Sequence, residues 1–200
     1  MNIKSFLSNN IYYNRYGFGP QTNKVWFGMR EDIYAKQRNG HLLIDTFDRT
    51  TNTLDIRSNG LYPSNVLSNL AHNEFEYDGV KCSSLEGFLQ SLKTSDEVKQ
   101  QEICLMYGGS AKKNGQKFMH WKENGKLYWK GKEYKRDSEE FYELVLGAYK
   151  ACYQQNDIFK TALNSTMGKK LTHSSGKNDK TDTILTREEF VHFLEQIRGT

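Results

Sequence analysis

Apolar residues follow one period over the first third of this chain and another over the rest, with the change near residue 83. Upstream, the apolar runs are short and rich in aromatic and β-branched residues, which predicts strands. They cover Asn10 to Tyr16, Lys24 to Met29 (KVWFGM), His41 to Thr46 (HLLIDT) and the alternating Thr53 to Arg57, which Asn59-Gly60 then interrupts. Glu74 to Tyr77 and Val80 to Cys82 flank Asp78-Gly79 and predict a hairpin. Asp-Gly suits a type I′ turn, whose two central residues both need positive φ.

Downstream, the apolar spacing becomes helical. Leu85, Phe88, Leu89 and Leu92 fall at i, i+3, i+4 and i+7, one face of a helix. Ser83 and Glu86 ahead of that run read as a capping box. A second helix is predicted over Asp96 to Tyr107, ending at Gly108-Gly109. A third starts at Ser138 and carries Phe141, Leu144, Val145, Ala148 and Cys152 on one stripe. A short one spans Asp157 to Thr166. The last opens on a second capping box, Thr186 to Glu189, and should bury Phe190, Val191, Phe193, Leu194 and Ile197. The class is α+β, mainly helical after residue 83 with a small N-terminal β portion.

Composition narrows the reading. At 200 residues with 36% hydrophobic and 13% aromatic residues, the chain can build a core and fits one domain. No apolar run approaches the roughly 20 residues of a membrane span, and the N-terminus lacks a signal-peptide pattern. Cys82, Cys104 and Cys152 are widely spaced with no C-x-x-C. They predict buried, reduced thiols, a cytoplasmic protein and no metal site. The net charge of +4 is compatible with a phosphate-bearing ligand, with nucleic acid, or with an ordinary solvated surface.

Three segments carry candidate chemistry. Glu86, Gln90 and Lys93 stand at i, i+4 and i+7, so a carboxylate, an amide and an amine share one helix edge beside the apolar stripe. Glu86 could orient water or stabilise an oxocarbenium ion, or serve only as a capping residue. Tyr107 to Lys117 mixes glycines with lysines and reads as a phosphate cradle or a solvated basic loop. His173 to Asp182 is a polar, glycine-containing segment between two helices, the kind of loop that carries function. Trp26, Phe27, Trp121 and Trp129 are candidates for stacking on a base.

Together these segments resemble the NADAR superfamily, in its longer form. Val25-Trp26-Phe27-Gly28 resembles the opening strand of longer members, and Leu67-Ser68-Asn69-Leu70 a family "LSNF" element. Phe75 through Gly79, then Ser84-x-Glu86-x-x-x-Gln90-x-x-Lys93, resembles the core signature. Ala148 to Asn156, Phe159 to Leu163, Leu171-Thr172-His173 and Thr183 to Arg198 resemble later family segments in the same order. Compact members follow a late acid with Trp-Gly, whereas Asp179 to Ile184 here has no tryptophan.

The resemblance implies a single NADAR-like domain over residues 1–200, with a strand and loop region over 1–60 and a catalytic core over 61–200. It implies an N-glycosidase that needs no cofactor. The expected reaction is hydrolysis of the bond between (ADP-)ribose and a base, above all release of ADP-ribose from guanine in DNA, RNA or nucleotides. The alternatives are hydrolysis of ribose-phosphate intermediates of the riboflavin pathway, or a non-catalytic module that binds ADP-ribose or a nucleotide. By the same resemblance, Glu86 is the catalytic carboxylate and Lys93 the amine near the anomeric carbon, a Schiff-base former with the opened ribose. Asp179 corresponds to the late acid, with Asp182 close behind. Ser68, Asn69, Gly79, Gln90, Trp129 and His173 complete the expected substrate contacts.

Overall fold

The computed structural model describes residues 36–38 and 41–199; the strands expected over residues 10–16 and 24–29 lie outside them. The chain divides into two compact units, residues 1–45 and 46–200. In the first, β1 (Lys36–Arg38) pairs antiparallel with β2 (His41–Leu43).

The second unit runs β3 (Phe47–Asp48), β4 (Thr53–Asp55), α1 (Ser64–Leu67), β5 (Phe75–Tyr77), β6 (Val80–Cys82), α2 (Leu85–Ser91), α3 (Glu97–Cys104), α4 (Gly108–Gly115), α5 (Trp121–Asn124), β7 (Lys126–Trp129), β8 (Lys132–Lys135), α6 (Glu139–Gln155), α7 (Asp157–Asn164), β9 (Lys170–Thr172) and α8 (Arg187–Ile197). The architecture is α+β, as expected. Its largest sheet has only three strands, in the order β3-β4-β9, with β4 and β9 parallel. That long-range pairing joins residues 46–60 to the C-terminal part of the chain, so they belong with the core and not with the N-terminal region. The ladder continues past the strands, where the Ile56 N–H donates to the Thr172 carbonyl at 2.8 Å.

The β5–β6 hairpin turns on Asp78 (φ 50°) and Gly79 (φ 77°), the geometry that Asp-Gly predicts. The core lies among the helices. The α6 stripe of Phe141, Leu144, Val145, Ala148, Tyr149 and Cys152 is buried, together with Phe159, Ala162 and Leu163 of α7 and Phe190, Phe193, Leu194 and Ile197 of α8. Caps set the helix starts. Ser138 Oγ accepts from the Phe141 N–H at 3.2 Å and Asn156 Oδ1 from the Phe159 N–H at 3.0 Å. The Thr186–Glu189 box forms in full. Val191 departs from expectation: it is half-buried and lines a surface groove of about 370 Å³ with Leu171, His173 and His192. All three cysteines are buried and unbridged. No described helix is long and apolar enough to cross a membrane.

Two local expectations are corrected. The cap of α2 is Ser84, whose Oγ accepts from the Gly87 N–H at 2.8 Å. Glu86 therefore stands one position short of the capping-box partner, and its side chain is free for other bonds. The Tyr107 to Lys117 segment is not a loop. The preceding helix ends at Cys104, and Gly108 to Gly115 forms α4, because Gly108 takes the positive φ of 59° that turns the chain.

The start of α2 packs directly on backbone. A Cβ added to Gly87 would lie 2.6 Å from the Met106 carbonyl oxygen and 2.9 Å from those of Cys104 and Ile103. Backbone cannot step aside as a side chain can. Gly87→Ala should therefore destabilise the fold by about 1–3 kcal/mol, the usual cost of overpacking. A urea midpoint equal to wild type would contradict this close approach.

Candidate active site

The α2 edge holds a continuous hydrogen-bonded row. Gln90 Nε2 donates to Glu86 Oε1 at 2.9 Å, and Lys93 Nζ donates to Gln90 Oε1 at 2.6 Å. A carboxylate only accepts and an ammonium only donates, so the amide between them has one allowed orientation. Gln90 is buried and the two charged residues are half-buried. The row exists because Glu86, Gln90 and Lys93 share one helix edge, while Leu85, Phe88, Leu89 and Leu92 anchor the other into the core.

The environment pushes the two charges toward neutrality from opposite sides. Burial raises the Glu86 pKa, against the hydrogen bond from Gln90 and the attraction of Lys112 and Lys93. Burial lowers Lys93 to about 8, against the attraction of Glu86; Lys122 and Lys112 depress it further. Desolvation leads in both cases. Acids and bases brought toward the working pH in this way mark functional sites more often than ordinary surface.

Neighbouring elements complete the constellation. α4 crosses so close to α2 that a Cβ on Gly115 would fall 1.9 Å from Gln90 Oε1. Glycine at that position makes room for the amide. Trp121, buried at the start of α5, lies under Lys93 Nζ, 5.7 Å from its ring centroid, and under Lys122 Nζ at 6.0 Å. Lys122 and Lys177 both donate to Asp182. Arg136 anchors the segment carrying Asp182: its Nε donates to the Thr183 carbonyl at 3.1 Å, and its guanidinium pairs bidentately with Glu189.

On the other flank, the Leu67-Ser68-Asn69-Leu70 element supplies helix caps from its backbone. The Asn69 carbonyl accepts from the Glu86 N–H at 2.8 Å and the Leu70 carbonyl from the Gly108 N–H at 3.0 Å. The Asn69 side chain is held by Tyr149, whose OH donates to Asn69 Oδ1 at 2.6 Å. Tyr149 is fully buried. Its phenol is kept protonated by that burial, with the Glu86 charge acting in the same direction. Ser68 is buried, and its Oγ accepts from the Leu70 N–H at 3.3 Å.

Sequence-predicted residues therefore divide into two groups. Glu86, Gln90 and Lys93 stand in one row, and Asn69 is joined to it through the Glu86 N–H. Gly79, Trp129, His173 and Asp179 are placed elsewhere. Gly79 is at an exposed hairpin turn. Trp129 is buried against Phe88 at 5.0 Å, on the face of α2 opposite Glu86, and its Nε1 donates to Asp78 at 2.9 Å. It fills the core and has no open face for a base. His173 Nδ1 meets the Ile56 carbonyl at 2.7 Å and packs edge-on against Phe190. Asp179 is exposed and folds back on Thr181, whose hydroxyl bond lowers its pKa. Asp182, not Asp179, is the acid tied to the Lys122–Trp121 cluster. Tyr149 and Gly115 carry no site role in the sequence reading: Tyr149 falls within the family-like segment Ala148 to Asn156, and Gly115 within the segment read as a phosphate cradle or basic loop. Among the described residues, no group of His, Cys, Asp and Glu could hold a metal ion.

The Lys93 environment can be checked directly. Selectively ¹³C-methylated lysine, followed by NMR, should show Lys93 titrating near 8. Glu86→Gln should lower that value further, because it removes the charge that favours the ammonium. Titration at an ordinary lysine value would mean that the amine is solvated.

Known proteins resemble the larger unit over most of its length. The family model described as bacteriophage protein GP30.3 matches residues 61–199. An uncharacterised 17.1 kDa protein from the Gp30–rIII intergenic region of Enterobacteria phage T4 is 38% identical over 148 residues, 74% of this chain and 97% of that protein. The solution structure of the E. coli protein YbiA aligns with a TM-score of 0.47 and 17% identity, over 68% of this chain and 77% of that one. The chain belongs to the bacteriophage GP30.3 family, part of the generally glycosidase-like NADAR superfamily.

Proposed function

We propose that the protein is an N-glycosidase that hydrolyses the bond between (ADP-)ribose and a base, with ADP-ribosylated guanine in nucleic acid or nucleotides as its substrate. The observation that carries this reading is the Glu86–Gln90–Lys93 row, where burial raises the carboxyl pKa and lowers the amine to about 8. In the reaction, the C1′–N bond breaks, and its electron pair leaves with the base, which gains a proton. Water supplies the oxygen that joins C1′ and gives up a proton. Glu86 stabilises positive charge at C1′ and takes that proton in this reading. Gln90 orients Glu86, and Asn69, held by Tyr149, is the ribose contact. Neutral Lys93 adds to C1′ of the opened ribose as the base leaves, and water then hydrolyses the resulting iminium, supplying the C1′ oxygen and restoring the amine. The neutral fraction grows as pH rises through about 8, so activity that depends on it rises over the same range.

ADP-ribosylated DNA, with products identified by mass spectrometry, tests the reading. Wild type should release ADP-ribose, and Glu86→Gln should lower turnover by about 10²-fold or more. The same substitution should raise the melting temperature slightly, because it removes a carboxylate whose ionised form burial disfavours. Borohydride added during turnover should leave a ribosyl adduct on Lys93. Cleavage of a riboflavin-pathway ribose phosphate instead would reassign the substrate. Tight ADP-ribose binding without any product would make the protein a binding module. Wild-type turnover by Glu86→Gln would remove Glu86 from the chemistry.

A further inference from the structure

The three-stranded sheet ends on an edge that is open over a short stretch. β9 is its outer strand. The Lys170 N–H donates to the Asn52 carbonyl at 3.0 Å, and the Thr172 carbonyl accepts from the Ile56 N–H at 2.8 Å. Those two residues pair with β4, and main-chain groups alternate in direction along a strand. The N–H and C=O of Leu171 and the N–H of His173 therefore point away from β4. None of the three has a hydrogen-bond partner among the described residues. The fold closes the same edge on both sides of them. Arg198 Nη1 donates to the Lys169 carbonyl at 2.9 Å, and the Gly176 N–H donates to the His173 carbonyl at 3.5 Å. Leu171 is buried, and buried main-chain groups are almost always paired.

The open stretch lines the groove of about 370 Å³ between β9 and α8. α8 runs beside it in the opposite direction: the Arg187 N–H donates to the Lys177 carbonyl, and Arg198 reaches Lys169. Arg187, Val191 and Glu195 stand four residues apart along the helical wall. Val191 is half-buried between two exposed charges of opposite sign. Neither Arg187 nor Glu195 has an ion-pair partner among the described residues. Residues four apart on a helix rise by about 6 Å, and alternate side chains of a strand repeat about every 6.8 Å. The wall is thus spaced for every second residue of an extended peptide.

We propose that this groove is a docking site where a partner protein adds an extended segment to β9, antiparallel to it. One residue opposite Leu171 exchanges both bonds with it only in an antiparallel pair. The segment accepts from the Leu171 and His173 N–H groups and donates to the Leu171 carbonyl. Counted from its N-terminus, its alternate side chains are acidic toward Arg187, apolar on Val191 and basic toward Glu195. Strand addition takes affinity from main-chain bonds and selectivity from alternate side chains. Here the open edge calls for a backbone, and the two unmatched charges set its direction. The site shares no residue with the Glu86 row.

NMR titration of the ¹⁵N-labelled full chain with the blocked pentapeptide Glu-Thr-Val-Thr-Lys tests this. The Leu171 and His173 amide signals should shift, and their hydrogen exchange should slow. N-methylation of the peptide's Glu, Val and Lys amides should weaken binding about tenfold or more, as expected for lost main-chain bonds. N-methylation of its two Thr amides should not. Val191→Lys should weaken binding to a similar extent. Glu195→Lys should do so too, and Glu in place of the peptide's Lys should restore it. Glu86→Gln should bind as wild type does. Absence of shifts at Leu171 and His173 with millimolar peptide overturns the proposal, as does equal binding by the two methylated peptides. Slow exchange of both amides in the peptide-free protein also overturns it, because the edge is then already paired. If that protection grows with protein concentration, the occupant is a second copy of this chain.

Discussion

The arrangement turns on one side-chain amide. Gln90 has a single donor face for Glu86 and a single acceptor face for Lys93, at 2.9 and 2.6 Å. Without it, a half-buried carboxylate and a half-buried amine would each face desolvation alone, which costs more than either isolated charge recovers in a protein interior. With it, the two are joined through a neutral dipole and kept from collapsing into a direct pair. A direct ion pair would hold both groups firmly charged. The relay leaves burial as the leading influence on each, which is why the acid moves up and the amine down.

Small residues and backbone carbonyls provide the room. Glycine at 115 leaves the volume that the Gln90 amide occupies, and glycine at 87 lets the first turn of α2 rest on the carbonyls of Ile103 and Cys104 at the end of α3 and of Met106 just beyond it. The Asn69 and Leu70 carbonyls take one N–H each from the openings of α2 and α4, groups that helix geometry leaves without an internal partner. Ser84 accepts from Gly87 and donates to the Met106 carbonyl at 2.9 Å. The start of α2 is therefore held by main chain at Asn69 and at Met106, and Glu86, in its first turn, inherits that rigidity.

Much of this was legible in the sequence. The shift of apolar period near residue 83, the Asp-Gly hairpin, the Thr186 capping box and the i, i+4, i+7 row all rest on local rules, and local rules survive folding. What escaped detection depends on contacts between distant segments. Two serines in succession at 83 and 84 offer the same capping chemistry, and only the bond from Ser84 to Met106 selects the second. Gly108-Gly109 reads as a helix end, yet the Leu70 carbonyl makes it a helix start. Trp121 and Trp129 look alike in sequence. Packing sends one beneath two lysines and the other into the core beside Phe88. Asp179 and Asp182 differ in the same way, because Lys122 is within electrostatic reach of both but donates a hydrogen bond to Asp182.

The Asp182 side of the site follows from the last helix. Glu189 closes the Thr186 capping box and also receives both guanidinium nitrogens of the buried Arg136, at 3.1 and 2.5 Å. Burial opposes its ionisation, but the bonds from Arg136 and Thr186 outweigh it and hold the carboxyl at about 2. Arg136 also donates its Nε–H to the Thr183 carbonyl, next to Asp182. A core ion pair thus sets the position of an exposed segment, and that segment neutralises Lys122. The consequence is a division of labour between two kinds of charge. Arg136 and Glu189, which Lys180 also approaches at 3.4 Å, serve geometry. Lys122 and Lys177 share the single carboxylate of Asp182 and hold the exposed segment beside the row.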